Sequence, residues 1–184
     1  PVTANFIPDD AANYTSLIGE SAGNFVIGLA TPVVTVTVGS YTYDGTAQGP
    51  NAATNTGTGT SYTWSYEGTG GTTYPASATR PTDAGSYTAT ATVAADGNYS
   101  GASSSATAFT IAKATPTATL VVDNSPTIYT GSVQSALVSI SASSVPGSVA
   151  NILTGGAADQ TGAGTYPVTA NFIPDDAANY TSLI

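Results

Sequence analysis

The chain has 184 residues, of which 7% are charged; two basic residues, Arg80 and Lys113, stand against 11 acidic ones, and the net charge is −9. Neutralising a run of phosphates needs clustered Lys and Arg, so this balance argues against nucleic acid as a partner. The absence of Cys and His excludes disulfides, thiol and imidazole catalysis and the common zinc sites. No apolar run reaches membrane-spanning length.

Strand patterns follow one another along the chain, and helix patterns are poor throughout. Val33–Val38 and Ser86–Val93 alternate apolar and hydroxyl residues. In Tyr166–Ile173 every second residue from Tyr166 to Phe172 is apolar, which gives this segment one apolar face. Within Ser86–Val93 one face collects the following residues: Tyr87, Ala89, Ala91 and Val93. Such alternation is typical of antiparallel strands with one buried face, and glycine-rich turn signals separate the strands. We therefore predict an all-β protein built from antiparallel sandwiches.

The two ends of the chain are identical: Pro1–Ile18 recurs unchanged as Pro167–Ile184, 166 residues later. A shorter repeat lies inside this period, because Ala30–Pro32 recurs 84 residues later as Ala114–Pro116. Further landmarks recur in the same order between the two halves. The chain is therefore interpreted as a window on an alternating array of two related modules, each a little over eighty residues long.

This repeat predicts three segments. Residues 1–30 hold the C-terminal strands of a preceding type B module, and residues 31–113 form a complete type A module, called module A below. Residues 114–184, called module B, are the N-terminal part of a type B module that lacks its last strand. The counterpart of that last strand is Gly23–Leu29, at the other end of the chain.

Three stretches carry a family resemblance: Tyr41–Pro50 (YTYDGTAQGP), Arg80–Gly101 and Phe109–Pro116 (FTIAKATP). They resemble the MBG-type (YDG-type) immunoglobulin-like repeats of large bacterial surface proteins and adhesins. The resemblance covers all of module A and, more loosely, module B, where Thr130 replaces the Asp of the YDG triplet and Gly162 replaces Asp83. It implies immunoglobulin-like sandwiches arranged end to end, and a stalk or spacer role at the cell surface.

A structural corner is predicted before the strand that begins near Gly85. Asp83, Gly85 and Tyr87 match the corner of immunoglobulin domains at which a tyrosine hydroxyl bonds back to the main chain. Tyr166 holds the same position in module B, and Trp64 falls where a tryptophan would pack beneath the corner.

Two smaller features are given structural interpretations. The motif Asn98–Ser100, which recurs as Asn179–Thr181, is expected to turn the chain into the last strands of each module. Lys113 is expected to be a solvated linker residue beside Pro116.

The leading functional hypothesis is a structural repeat segment of a long extracellular bacterial surface fibre or adhesin stalk, whose partners are neighbouring copies of the repeat. An alternative is a filament subunit. An unpaired sheet edge can accept a strand from another chain, and Phe25, Val26 and Ile27 are the candidates for that strand. Such a contact is heterologous and would propagate head to tail.

A second alternative is a glycan-binding or protein-binding immunoglobulin-like module. Tyr62, Trp64 and Tyr66 alternate along one strand and share a face, which would have to be exposed to stack on a sugar. A face of this kind more often belongs to the core, so the structural hypothesis is preferred.

Neither catalysis nor a cofactor is expected, since no nucleophile has a base to activate it. Calcium is the one metal considered, at Asp9–Asp10 and its repeat Asp175–Asp176. No D-x-D-x-D-G loop accompanies these pairs, and an Asp-rich turn after a strand explains them as well.

Overall fold

The computed structural model describes residues Pro1–Ile184 and consists of strands and loops without helices, which confirms the all-β prediction. No helix is therefore present that could cross a membrane. The strands, in chain order, are β1 (Val2–Phe6), β2 (Leu17–Gly23), β3 (Val34–Thr37), β4 (Tyr41–Thr42), β5 (Ala52–Asn55), β6 (Tyr62–Thr69), β7 (Gly85–Val93), β8 (Ala102–Ser103), β9 (Thr107–Ala112), β10 (Ala118–Val122), β11 (Val138–Ser143), β12 (Gly147–Thr154) and β13 (Val168–Pro174).

Module A contains two sheets. The larger has the order β4-β9-β7-β6, with β8 beside β7, and the smaller pairs β3 with β5. Strand β7 is central, because it is antiparallel to β6 on one side and to β9 on the other. Strand β4 joins the sheet parallel to β9. The last strand of the module thus lies inside its larger sheet and not at an edge.

The core of module A follows from the alternation along β7, whose predicted inward face is buried as expected. Ala91 and Val93 pack against Val34 and Val36 of the smaller sheet. The other half of the core is aromatic, and its buried members are Tyr66, Tyr87, Ala89, Phe109 and Ile111. Because Ala89 and Ala91 carry only a methyl group, larger side chains from the neighbouring strands can cover β7.

Phe109 of β9 is the centre of the aromatic half. Its ring stacks on Tyr87 at 5.4 Å and meets Tyr41 at 5.7 Å and Tyr66 at 6.3 Å edge to face. Such ring pairs contribute about 0.5–1.5 kcal/mol each beyond the area they bury. At Gly49 an added Cβ would lie 3.0 Å from the Phe109 ring, so the loop approaches as closely as its glycine allows. Strand β9 therefore both completes the sheet and fills the core.

Module B has a smaller core. It consists of the pairs β10–β11 and β12–β13, with isolated bridges between loops. Nine of the ten buried hydrophobic side chains of the whole chain belong to module A, and Phe172 alone belongs to module B. Strand β13 pairs with β12 on one side. On its other side Phe172 bridges Leu183, but no strand pairs with the residues that correspond to those of β7 that bind β9. Module B thus lacks the strand that closes the core of module A.

The N-terminal residues form a separate hairpin. Strands β1 and β2 pair antiparallel with Val2 opposite Gly23 and Ala4 opposite Glu20. Every residue of both strands is exposed. A lone two-stranded hairpin is marginally stable in water. This hairpin is therefore free to exchange partners more easily than the strands of module A.

Both modules contain a tyrosine corner. The Tyr87 hydroxyl donates to the Asp83 carbonyl at 2.8 Å, and the Tyr166 hydroxyl donates to the Gly162 carbonyl at 3.1 Å. The buried Tyr66 hydroxyl likewise donates to the Pro50 carbonyl at 2.7 Å. Burial raises the pKa of both Tyr66 and Tyr87, because a phenolate would lose its hydration.

The raised pKa of Tyr87 predicts a loss of stability at high pH. Above pH 10, the usual pKa of tyrosine, the unfolded chain releases a proton that the folded chain retains, so the free energy of unfolding falls as pH rises. Tyr87→Phe should lower that free energy by about 1 kcal/mol at neutral pH, through the lost hydrogen bond, and should make the alkaline decline shallower. Urea unfolding between pH 7 and 11, followed by Trp64 fluorescence, measures both effects.

Tyr14→Phe is the matched control, because Tyr14 is 67% exposed in the N-terminal hairpin. It should leave the neutral stability of module A unchanged. An alkaline decline in Tyr87→Phe as steep as in the wild type would contradict the assignment.

Candidate functional site

The boundary between modules A and B is built around Asn179, which is only 7% exposed. Its side-chain oxygen accepts a hydrogen bond from the Ala84 amide at 2.7 Å. Its side-chain nitrogen donates to the carboxylates of Asp83, at 3.3 Å, and Asp176, at 3.0 Å. One side chain of module B thus bonds to the corner of module A and also to its own loop.

The linker is paired with module B through its main chain. The Ala114 amide donates to the Asn179 carbonyl, and the Thr181 amide donates to the Ala114 carbonyl, both at 2.9 Å. These bonds form a parallel bridge between Ala114 and Tyr180. Pro116 then fixes its own φ and restricts the residue before it. The linker therefore has little freedom to bend.

Side chains close the same boundary. The rings of Tyr43 and Tyr180 meet edge to face at 5.3 Å, and Lys113 Nζ donates to the Ala177 carbonyl. Desolvation raises the pKa of Tyr43, and Tyr180 and the nearby carboxylate of Asp176 raise it further. The neutral phenol is thus the form that the boundary favours.

The linker before module A repeats this arrangement. The Ala30 amide donates to the Asn98 carbonyl at 2.9 Å, the Ser100 amide donates to the Ala30 carbonyl at 2.8 Å, and Ala30 bridges Tyr99 in parallel. Asn98 occupies the position of Asn179 but is exposed. We call the contacts of Asn179, the main-chain pairing of Ala114 and the Tyr43–Tyr180 ring pair together the junction. Asn98 is the residue of module A that corresponds to Asn179.

The structure brings the predicted corner residues together. The Asp83 carbonyl accepts a hydrogen bond from the Tyr87 hydroxyl, and the Asp83 carboxylate accepts one from the Asn179 side chain. Gly85 is the first residue of β7. Tyr166 is half-buried, in contrast to Tyr87 at 2% exposure.

Trp64 lies on the core side of β6. Its ring stacks on Tyr66 with the ring planes 8° apart, and it borders both core clusters, while the half-buried Tyr62 borders the cluster around Val34 and Val36. The aromatic face of β6 thus belongs to the core, as the sequence favoured.

The strand-complementation candidates lie outside any strand. Phe25, Val26 and Ile27 are 78%, 78% and 83% exposed, in the segment that connects β2 to the first linker. These three consecutive residues are among the most exposed large apolar side chains of the chain.

The junction residues were not identified from the sequence. Asn179 does lie in a turn, but its side chain reaches a neighbouring module. Lys113 is exposed, as predicted, and its Nζ also donates to a carbonyl across the boundary. One signal was available: the Asn-Tyr pair is kept in all three copies of the motif, at Asn13, Asn98 and Asn179.

The paired aspartates have local partners. Asp10 accepts hydrogen bonds from the amide and side chain of Asn13, and Asp176 does the same for Asn179. No group of three or more acidic side chains comes together. The absence of a cofactor and of catalysis stays a prediction.

A family model described as MBG domain matches residues 33–115, which span β3 to β9 and the start of the second linker. No curated protein and no solved structure matches the chain. The resemblance stated from the YDG triplet and the FTIAKATP stretch is thus confirmed for this part of the chain. MBG domains occur in surface proteins. Residues 33–115 are therefore similar to the MBG domain, and this similarity suggests a repeat module of a surface protein.

Proposed function

We propose that the chain is a structural repeat segment of a long extracellular bacterial surface fibre or adhesin stalk, with its modules placed end to end. The observation that carries this proposal is the junction, in which the buried Asn179 bonds to the corner of module A. A stalk needs joints that resist bending, because a flexible chain of modules would collapse instead of extending.

The junction supplies that resistance from several directions. Main-chain bonds hold Ala114 to module B, while Asn179 and the Tyr43–Tyr180 ring pair bind module B back to module A. Bending at this boundary would leave the Ala84 amide and the Asp83 carboxylate without their partner. Each such hydrogen bond contributes about 0.5–1.5 kcal/mol to stability.

Repetition supports the same role. The linkers at Ala30 and Ala114 make equivalent main-chain bonds to the module that follows each of them. Each added module would then lengthen the protein through the same contact, which is how repeat proteins grow with few new interfaces. The proposed partners are neighbouring copies of the repeat, and the proposal includes no catalytic role, no cofactor and no membrane-spanning segment.

A second candidate function is a filament subunit that assembles head to tail from separate chains. The exposure of Phe25, Val26 and Ile27 favours it. A glycan-binding role has less support, since Trp64 and Tyr66 stack within the core.

The stalk proposal predicts that Asn179→Ala loosens the joint between the modules. The substitution removes the partner of the Ala84 amide and of Asp83, so the modules should sample a wider range of relative orientations. Small-angle X-ray scattering of dilute protein measures this range. The wild-type curve should fit one rigid arrangement, and the Asn179→Ala curve should require an ensemble.

Asn98→Ala is the matched control, because Asn98 has the same position in module A but is exposed. It should scatter like the wild type. A wild-type chain that already requires an ensemble of orientations would contradict the stalk proposal.

A further inference from the structure

Module B contains a groove of about 330 Å³ on the open side of β13. One wall is the loop after β10, with Pro126 and Tyr129, and the other is the segment that contains Tyr166 and Val168. Thr154 of β12 forms part of the lining. We call this the acceptor groove. Its position corresponds to the place that β9 occupies in module A.

The correspondence holds residue by residue. Tyr66 lies opposite Ala89 in module A, and Thr154 lies opposite Val168 in module B. The two tyrosine corners make Tyr166 the equivalent of Tyr87. The groove is thus lined by the equivalents of side chains that surround Phe109. Without such a ring against it, Tyr166 stays half-buried.

The walls are held in the same way in both modules. Gln48 donates from its side chain to the Thr42 carbonyl at 2.8 Å, and Gln134 donates to the Ile128 carbonyl at the same distance. The groove therefore has the loop geometry of a module that receives a last strand, although the strand is missing.

The segment that matches the missing strand is at the other end of the chain. Asn24–Pro32 (NFVIGLATP) corresponds to Ala108–Pro116 (AFTIAKATP), which places Phe25 at the position of Phe109 and Ile27 at that of Ile111. In β9, Phe109 and Ile111 are buried and the residue between them, Thr110, is exposed. The same pattern in the N-terminal segment would turn Phe25 and Ile27 inward and Val26 outward.

Two independent pairings give the same register for this segment on β13. In module A, Ala89 lies opposite Thr107, and their equivalents are Val168 and Gly23. In the N-terminal hairpin, Val2 lies opposite Gly23, and the terminal repeat makes Val2 the equivalent of Val168. Both place Gly23 opposite Val168. Because a slip of one residue would reverse the faces, this agreement fixes which side chains enter the groove.

We propose that the acceptor groove binds Gly19–Leu29 of a second copy of this chain as an added antiparallel strand, with Gly23 opposite Val168 and with Phe25 and Ile27 inside. Strand β2 leaves β1 to do so. Because Val2–Phe6 and Val168–Phe172 are identical in sequence, β2 finds the same partner residues on β13. The exchange therefore conserves the pairing of Glu20, Ser21 and Gly23 and adds the burial of Phe25 and Ile27, while Phe172 keeps its own partner Leu183. It rests on the second candidate function, the head-to-tail filament subunit, and does not depend on the stalk function.

The added strand leads directly into the next joint. Leu29 is followed by Ala30, which is bonded to Asn98 of its own module A. The donor's Asn98 would then meet Ala163 of the acceptor, as Asn179 meets Ala84. The contact is heterologous, so it extends into an open chain of copies and does not close as a symmetric dimer.

The first test is the mass of the full chain in solution. Sedimentation velocity of the wild type should show assemblies that grow with concentration, well beyond the 18.1 kDa of one chain. Phe25→Asp combined with Ile27→Asp should keep the mass at that of one chain at every concentration, because two carboxylates cannot enter an apolar core. Both residues are exposed in the single chain, so its fold should be retained, as circular dichroism would show.

Val26→Asp is the matched control. Val26 is as exposed as Phe25 but faces away from the groove in the proposed register, so this variant should assemble like the wild type. A wild type that stays monomeric overturns the proposal. Assembly that Val26→Asp abolishes as fully as the double variant also overturns it, because simple hydrophobic association would then explain the result.

The second test locates the contact in a chain that has no cysteine of its own. Ser86 lies opposite Thr110 in module A, which places Val26 opposite Thr165 in the proposed contact. A chain with V26C and T165C should form a ladder of covalent multimers on oxidation, seen on a non-reducing denaturing gel.

The register control carries F25C and T165C, whose side chains would point to opposite faces. It should give no ladder. Equal ladders from both variants, or a disulfide formed within one chain, would overturn the proposed contact.

Discussion

The insertion of Phe109 among Tyr41, Tyr66 and Tyr87 is the contact on which the fold of module A depends. The ring comes from β9, the last strand of the module, which also lies between β4 and β7 in the larger sheet. A module can therefore close its core only when its final residues fold back into its centre. Module B shows the consequence of lacking them, since Phe172 is its only buried aromatic or aliphatic side chain apart from prolines.

The closure of the core of module A and the stiffness of its joint with module B are linked, because the connection between them is short. Strand β9 ends at Ala112, and Ala114 is already bonded to the next module. Ala112 also accepts a hydrogen bond from the Tyr43 amide, and Tyr43 contacts Tyr180 across the junction. Displacing the last strand would therefore release both the core behind it and the joint ahead of it. This coupling is what the proposed stalk function requires.

Much of the fold was predictable, because alternation along a strand reports directly which side chains face the core. The buried face of β7 and the core position of Trp64 followed from it. The junction was not predictable, because Asn179 contacts Asp83 and Ala84, far away in sequence, and no local period reports such a contact. The acceptor groove needed both kinds of information. The repeat identified Gly23–Leu29 as a displaced strand, whereas the walls beside Tyr129 and Tyr166 appear only in three dimensions.

The central claim, that each module is completed by a strand with the sequence of Gly19–Leu29 or its equivalent, is tested most directly by amide hydrogen exchange. In dilute protein, the amides of residues 164–170 should exchange much faster than those of the equivalent residues 85–91 in β7. A synthetic peptide with the sequence Gly19–Leu29, added in excess, should slow the exchange of residues 164–170 and leave residues 85–91 unchanged. Equal protection of the two segments in dilute protein, or exchange that the peptide does not alter, would contradict the account.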